Sequence, residues 1–306
     1  GYPSSFTIYD TVDSKSVIRG IIKDLKLDDK QYPVNEIYGR ISNSKNNLIS
    51  SSVYANDTDI QKVDYNMKRP EIGKIYQMYA QRCYKSQAMD FDDLLLNTNI
   101  LFRDFPDILA KYQNKFSFVL VDEYQDTNYA QYLIVKKLVE KHQRVCIVGD
   151  DAQSIYSFRG AKIENILNFQ KDYPDYKLFK LEQNYRSTKN IVEAANSVIE
   201  KNEKRIPKVL FSDNETGEKI KLIEAKTDSD EGYLISNEII DSRFTNQFQF
   251  SDFAILYRTN AQSRIMEEAL RKRNIPYKIY GGTSFYQRKE IKDLVAYFRL
   301  VVNHND

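Results

Sequence analysis

Apolar positions along the chain follow two spacings, and each predicts a different element. Ile72, Ile75, Tyr76, Tyr79 and Cys83 recur three or four residues apart, which predicts a helix with one face on a core. Ile291, Leu294, Val295 and Phe298 repeat that spacing and predict a helix near the end of the chain. Elsewhere the apolar residues come in short runs. Phe116-Ser-Phe-Val-Leu-Val121, Arg144-Val-Cys-Ile-Val148 and Lys177-Leu-Phe-Lys-Leu181 read as strands, each ending in polar or charged residues and separated by helical segments. That alternation predicts an α/β fold with parallel sheets and an active edge at the carboxyl ends of the strands. Further strands are predicted at 219–225, 253–257 and 277–280. The Ser/Asn-rich stretch from Ser42 to Ser52 reads as a loop, and Gly281-Gly282 as a hinge or turn. In Asp90-Phe-Asp-Asp-Leu-Leu-Leu96 the acids read as caps that complement the helix dipole, not as catalytic groups.

The polar residues that close the first strand carry the chemistry. Asp122 and Glu123 stand at the end of the 116–121 run and are followed by Tyr-Gln-Asp-Thr-Asn. In nucleotide hydrolases an acid placed there holds Mg²⁺ and its neighbour orients the attacking water. The plainer alternative is a solvated strand end capping the next helix. The second strand leads into Gly149-Asp-Asp-Ala-Gln-Ser-Ile-Tyr-Ser-Phe-Arg-Gly160, and the third into Glu182-Gln-Asn-Tyr-Arg-Ser-Thr188. With these in place, the chain resembles a superfamily-one DNA helicase of the UvrD/Rep/PcrA type. The segment from Asp122 to Asn128 is similar to that family's Walker B motif, Gly149 to Ala161 to its third motif and Gln183 to Thr188 to its fourth. Leu256-Tyr-Arg-Thr-Asn-Ala-Gln-Ser-Arg264 matches a further segment. The resemblance covers nearly the whole chain.

The resemblance implies RecA-like, P-loop-NTPase-type parallel sheets with a helical insertion. It divides the chain into an insertion at 1–88, the later part of a first RecA-like domain at 89–181, the start of a second at 182–285 and a second insertion from 286 to 306. It also implies ATP and Mg²⁺ as cofactors. Asp122 is then the Mg²⁺ ligand, Glu123 the base that positions water, Gln153 a sensor of the γ-phosphate, Arg186 an arginine finger and Tyr185 a stacking partner for the adenine. An amide can both donate to a phosphate oxygen and accept from water, and a guanidinium is permanently charged and binds phosphate bidentately. Read without the resemblance, Gln153 is a loop amide, Arg186 a surface ion pair and Tyr185 ordinary packing.

On the nucleic-acid side, Tyr156, Phe158 and Arg159 resemble residues that contact single-stranded DNA, and Arg258, Thr259 and Asn260 resemble contacts to its backbone and bases. Aromatic faces on an exposed loop stack unpaired bases at ~1–3 kcal/mol each, although Tyr and Phe are as often core residues. Phe158 stands where many relatives have Trp, and Thr283-Ser284 where relatives often carry a basic residue. Lys201, Lys204, Arg205 and Lys208 read as a solvated helix end.

A P-loop needs Gly-x-x-x-x-Gly-Lys-Ser/Thr. None of the ten glycines fits, because Gly73-Lys74 is followed by Ile75 and Lys68 occupies the upstream glycine position. The expectation is therefore an internal fragment of a longer helicase, inactive alone, whose parent translocates 3′ to 5′ on single-stranded DNA and at single-strand/duplex junctions. Repair or replication proteins would be its partners. A P-loop-less homologue, a helicase-nuclease subunit and a DNA-binding module with a vestigial ATP site are the alternatives.

Composition adds limits. Lys and Arg number 45 against 43 Asp and Glu, so any grip on DNA must come from a local groove. No apolar run approaches the ~18 residues of a membrane span. Cys83 and Cys146, read as a helix thiol and a buried strand thiol, lack metal spacing and suit a reducing, cytoplasmic setting.

Overall fold

The computed structural model describes residues 1–203, 205–280 and 289–303, apart from the side chains of Arg159 and Lys289. The Gly281-Gly282 turn, Thr283-Ser284 and Lys204 lie outside the described residues.

Two short parallel ladders organise the first half. Strand β1 (Thr7–Tyr9) precedes helices α1 (Thr11–Asp24), α2 (Val34–Asn46), α3 (Ser51–Asn56), α4 (Thr58–Asn66) and α5 (Ile72–Lys85), and then pairs in parallel with β2 (Ala88–Asp90). Asp10 caps α1 in a capping box with Asp13, while Ser50 and Asp57 cap α3 and α4. The five apolar residues that predict the α5 helix are all buried, and Ile75 and Tyr79 are fully so. They meet Ile18, Ile21 and Ile22 of α1 and Ile37 and Ile41 of α2 in one core. Each such side chain contributes ~1.5–3 kcal/mol on burial. Gly73 falls in the first turn of α5, where a Cβ would lie 3.5 Å from the Ala55 backbone. Gly73 thus packs against α3, while Lys74 is exposed and lies 3.8 Å from Glu71.

The Ser42–Ser52 loop reading is corrected at both ends, because 42–46 complete α2 and Ser51 and Ser52 open α3. Polar residues there are held by tertiary partners. Lys45 is 1% exposed and donates to Asp90 and lies against Asp93, both at 2.7 Å, and the Tyr79 hydroxyl donates to Asp90 at 2.7 Å. Burial opposes the charge on Lys45, yet the two carboxylates hold its pKa above the ordinary value. Asp90 and Asp93, read from the sequence as caps, form a capping box at the start of α6 (Phe91–Asp104), so they cap a helix and neutralise a buried cation at once.

Helix α7 (Pro106–Lys115) leads to β3 (Val119–Val121), which pairs in parallel with β4 (Val145–Ile147) across α8 (Tyr129–Val139). Helices α9 (Glu164–Leu167) and α10 (Phe169–Asp172) follow. Cys146 is exposed on β4, which corrects its reading as a buried strand thiol.

The chain divides into two units, one of Gly1–Glu182, Asn196–Val209 and Asp293–Asp306, the other of Gln183–Ala195 and Leu210–Lys292. Helix α11 (Lys189–Ile199) precedes α12 (Asp228–Asn246) and α13 (Ser263–Lys272), and in the second unit Ile239, Leu270 and Ile275 form a small core. Helix α14 (Lys289–Val302) confirms the terminal helix. Its apolar stripe is largely exposed, with Leu294 at 56% and Phe298 at 70%. Arg299 pairs with Asp13 at 3.2 Å, and Asn303 just beyond donates to Thr7 at 3.1 Å.

Among the described residues, the strands predicted at 177–181, 219–225, 253–257 and 277–280 form no ladder. The nearest approach is an isolated parallel bridge between Gln183 and Phe211. Burial still alternates at 253–257, with Phe253, Ile255 and Tyr257 half-buried and Ala254 and Leu256 exposed. Side-chain pattern sets which face is covered, whereas a ladder also needs a neighbouring backbone. The α/β class holds, with sheets of two strands among the described residues.

Candidate functional site

Residues Asp122 and Glu123 follow β3 directly, and Gly149 follows β4. The strands are parallel with Val121 beside Ile147, so both segments leave the same sheet edge. The Tyr124 amide donates to the Val148 carbonyl at 3.0 Å, which extends the pairing past the strand ends. Both acids are exposed. Glu123 has φ 49° and ψ 40°, the left-handed conformation that non-glycine residues rarely adopt. Its amide donates to Asp122 Oδ1 at 2.9 Å. One turn of 3₁₀ helix, Tyr124–Asp126, then buries Tyr124 and Gln125.

Asn128 ends this segment by capping α8, in a capping box with Gln131. Its Nδ2 donates to Asn46 Oδ1 at 2.8 Å, and Asn46 donates onward to Asp92 at 3.0 Å. Lys162 spans the same seam, from its backbone amide to the Thr127 carbonyl at 3.0 Å and from Nζ to Asn47 Oδ1 at 2.9 Å. The residues after Glu123 are thereby tied to the end of α2.

The turn after β4 carries Gln153. Its Nε2 donates to Asp150 Oδ2 at 2.9 Å, and the side chain is otherwise exposed. Lys208 donates to Asp150, and to Asp151 at 3.1 Å, while the Ile206 amide donates to Asp151 Oδ2 at 2.9 Å. Lys208 is therefore a clamp on this turn, which corrects its reading as part of a solvated helix end. Burial alone would push the Asp150 carboxyl up, but Lys208, Gln153 and the Ala152 amide outweigh it and hold it below the ordinary carboxylate range. Nothing in the sequence signalled this pairing, because Lys208 and Asp150 are 58 residues apart.

Tyr156 and Phe158 follow on the same segment, with ring centroids 5.9 Å apart and planes inclined by 41°. Phe158 is 69% exposed, so it is not a core residue. The Arg159 side chain lies outside the described residues, and its backbone completes the 3₁₀ turn Ser157–Arg159. In the second unit, Asn184 Oδ1 accepts from the amides of Arg186 at 3.0 Å and Ser187 at 2.7 Å, folding a turn that leaves Tyr185 and Arg186 exposed. The Tyr185 hydroxyl donates to Gln183 at 2.8 Å. Arg258, Thr259 and Asn260 are exposed, and Gln262 Oε1 accepts from the amides of Arg258 at 3.1 Å and Thr259 at 3.0 Å.

Residues 1–174 match the UvrD/REP helicase N-terminal domain, and residues 179–306 match the UvrD-like helicase C-terminal domain. The chain belongs to the UvrD/Rep helicase family. It is 47% identical over all 306 residues to the ATP-dependent DNA helicase PcrA of Staphylococcus aureus strain Mu50, covering 41% of that protein. It is 46% identical to the protein of the same name in Leuconostoc citreum and 47% to that in Staphylococcus epidermidis, over its whole length and 40% and 41% of theirs. This UvrD/Rep-family chain thus spans about two-fifths of the length of these relatives. Among the described residues no helix is long and apolar enough to cross a membrane, and no cluster of three metal-ligating side chains occurs.

Two neighbouring carboxylates suit Mg²⁺ better than a dedicated cage would. That ion keeps several waters and binds through one or two carboxylates together with substrate phosphates. Asp122, which accepts from one backbone amide, retains lone pairs for such a role.

Proposed function

We propose that this chain is the part of an ATP-dependent DNA helicase that carries its water-activating and phosphate-sensing residues and part of its grip on single-stranded DNA. The reading includes RecA-like domains, 3′-to-5′ translocation, action at single-strand/duplex junctions and a cytoplasmic role in repair or replication. One observation carries it: Asp122-Glu123 and the Gly149–Gln153 turn leave one edge of a parallel sheet, and the exposed Tyr156 and Phe158 stand on the segment that continues from that turn. Asp122 would hold Mg²⁺, which supplies charge neutralisation for phosphoryl transfer when bound. Glu123 would orient water and accept its proton. Gln153 would read the terminal phosphate, Arg186 would neutralise charge that develops there, and Tyr185 would stack on the base of ATP. Tyr156, Phe158 and Arg159 would hold unpaired bases, while Arg258, Thr259 and Asn260 would hold backbone and bases. Gln153 and Tyr156 are three residues apart, a short physical route from nucleotide state to DNA contact.

The test uses a full-length chain containing these residues. Glu123→Gln should abolish DNA-stimulated ATP hydrolysis while ATP still binds, and Arg186→Ala should slow turnover by ~10³–10⁵. Near-normal turnover in Glu123→Gln would overturn the reading. The 306 residues alone, lacking a P-loop sequence, should show no DNA-stimulated hydrolysis.

A further inference from the structure

Gln125 is 1% exposed, yet its side chain meets both halves of the site. Its Nε2 donates to Glu123 Oε2 at 2.7 Å, and its Oε1 accepts from the Asp150 amide at 3.0 Å. Its carbonyl accepts from Ser154 Oγ at 3.3 Å. Asp150 in turn accepts from Gln153. A continuous line of hydrogen bonds therefore runs from the Glu123 carboxylate through one buried amide to the turn that carries Gln153.

Gly149 fits this arrangement sterically. A Cβ there would lie 2.5 Å from Gln125 Oε1 and 3.3 Å from the Tyr124 amide nitrogen. The residue beside Gln125 must be glycine for the amide to stay in place. Gly149 does not have a positive φ, so it is the space that excludes a larger residue and not the backbone conformation.

We infer that Gln125 is a positioning residue: it fixes the carboxylate of Glu123 and couples it mechanically to the Asp150–Gln153 turn. The amide meets the requirement by carrying on separate atoms a donor toward the carboxylate and an acceptor toward a backbone N–H. Glu123 is exposed, so solvent does little to restrict its side chain. The bond from Gln125 supplies that restriction. A movement of the Gly149–Gln153 turn would pass to Glu123 through the same group. The inference builds on the role proposed for Glu123 above.

The experiment compares full-length wild type with Gln125→Ala, Gly149→Ala and Glu123→Gln, each checked for folding by thermal unfolding. Gln125→Ala should lower kcat for DNA-stimulated ATP hydrolysis by about 10²-fold, the scale of an ~1 Å misplacement, with KM for ATP little changed. Gly149→Ala, which displaces the amide without deleting it, should reproduce that kcat-selective loss. Near-wild-type kcat in both Gln125→Ala and Gly149→Ala, or a loss confined to KM, would overturn the positioning role. Full turnover in Glu123→Gln alone would instead sink the reading of the site, so the two failures are separable.

Discussion

The side chain of Asn128 donates to Asn46 Oδ1 at 2.8 Å, joining positions 82 residues apart in a buried contact. It fastens the first turn of α8 to the last turn of α2, and the segment after Glu123 lies between. Removing the acceptor leaves the Asn128 donor buried without a partner, which costs ~1–3 kcal/mol. Asn46→Ala should therefore lower the melting temperature and speed hydrogen exchange at the amides of the first turn of α8. Unchanged exchange there would show that the contact does not hold the turn.

Phe158 offers a cleaner test of the DNA grip than sequence allowed. Because its ring is mostly exposed, Phe158→Ala should cost little stability, not the ~3–5 kcal/mol of a buried aromatic. Loss of one stacking face should weaken single-strand affinity by ~1–3 kcal/mol in the full-length protein. Titration with labelled oligonucleotide, beside a melting curve, decides the matter. Unaltered affinity would remove Phe158 from the proposed interface.

The Lys208 clamp makes stability depend on pH in a defined direction. Asp150 is held below its ordinary pKa, so its contribution is present above an unfolded value of ~3.9 and is lost as pH falls through the lower folded value. Lys208 is held above its ordinary value, so its contribution is complete below ~10.4 and is lost as pH rises through the folded value. The clamp should be intact between about pH 4 and 10. Lys208→Met should lower stability by roughly 1.5–3 kcal/mol at neutral pH and flatten the fall in melting temperature on acidification. The same acid dependence in both proteins would refute the clamp.

The two thiols should behave differently. Burial pushes Cys83 up to about 12, whereas Cys146 is exposed on β4. Native protein of these 306 residues should react with one equivalent of a maleimide at neutral pH, and the label should map to Cys146. Two equivalents should react only after denaturation. Rapid labelling of Cys83 in the native state would contradict its place in the core.

Local signals survived from sequence to structure, and long-range ones did not. The stripe from Ile72 to Cys83 is a property of one helix and was readable because a 3.6-residue period repeats several times in it. Asp90 and Asp93 were readable as caps because a cap is decided within four residues. Their second task, holding Lys45, was hidden because it depends on a partner 45 residues away. The end of α2 reads as a loop for the same reason: Ser and Asn are poor helix formers, and the bonds that Lys45 and Asn46 donate to Asp90 and Asp92, with the one that Asn46 accepts from Asn128, are not visible locally. At 177–181 and 219–225 the apolar runs have strand character, but a run says nothing of which backbone will lie beside it. Within the proposed site, motif spacing singles out Glu123 and Gln153, whereas the buried amide between them, Gln125, is an interior letter of one motif and carries no signal of its own.

The backbone at Glu123 has a consequence for how this site could change. A left-handed residue with a Cβ costs on the order of 1 kcal/mol relative to glycine, which takes up that conformation freely. Selection for folding alone would therefore favour Gly at 123, and selection for proton transfer would favour the acid. Glu123→Gly should melt above wild type if the Gln125 contact contributes less than the backbone term, and below it if that contact contributes more. On the role proposed for Glu123, the carboxylate that serves the chemistry is the same side chain that holds the backbone in its less favoured conformation, so relief of the backbone and retention of the acid pull in opposite directions here.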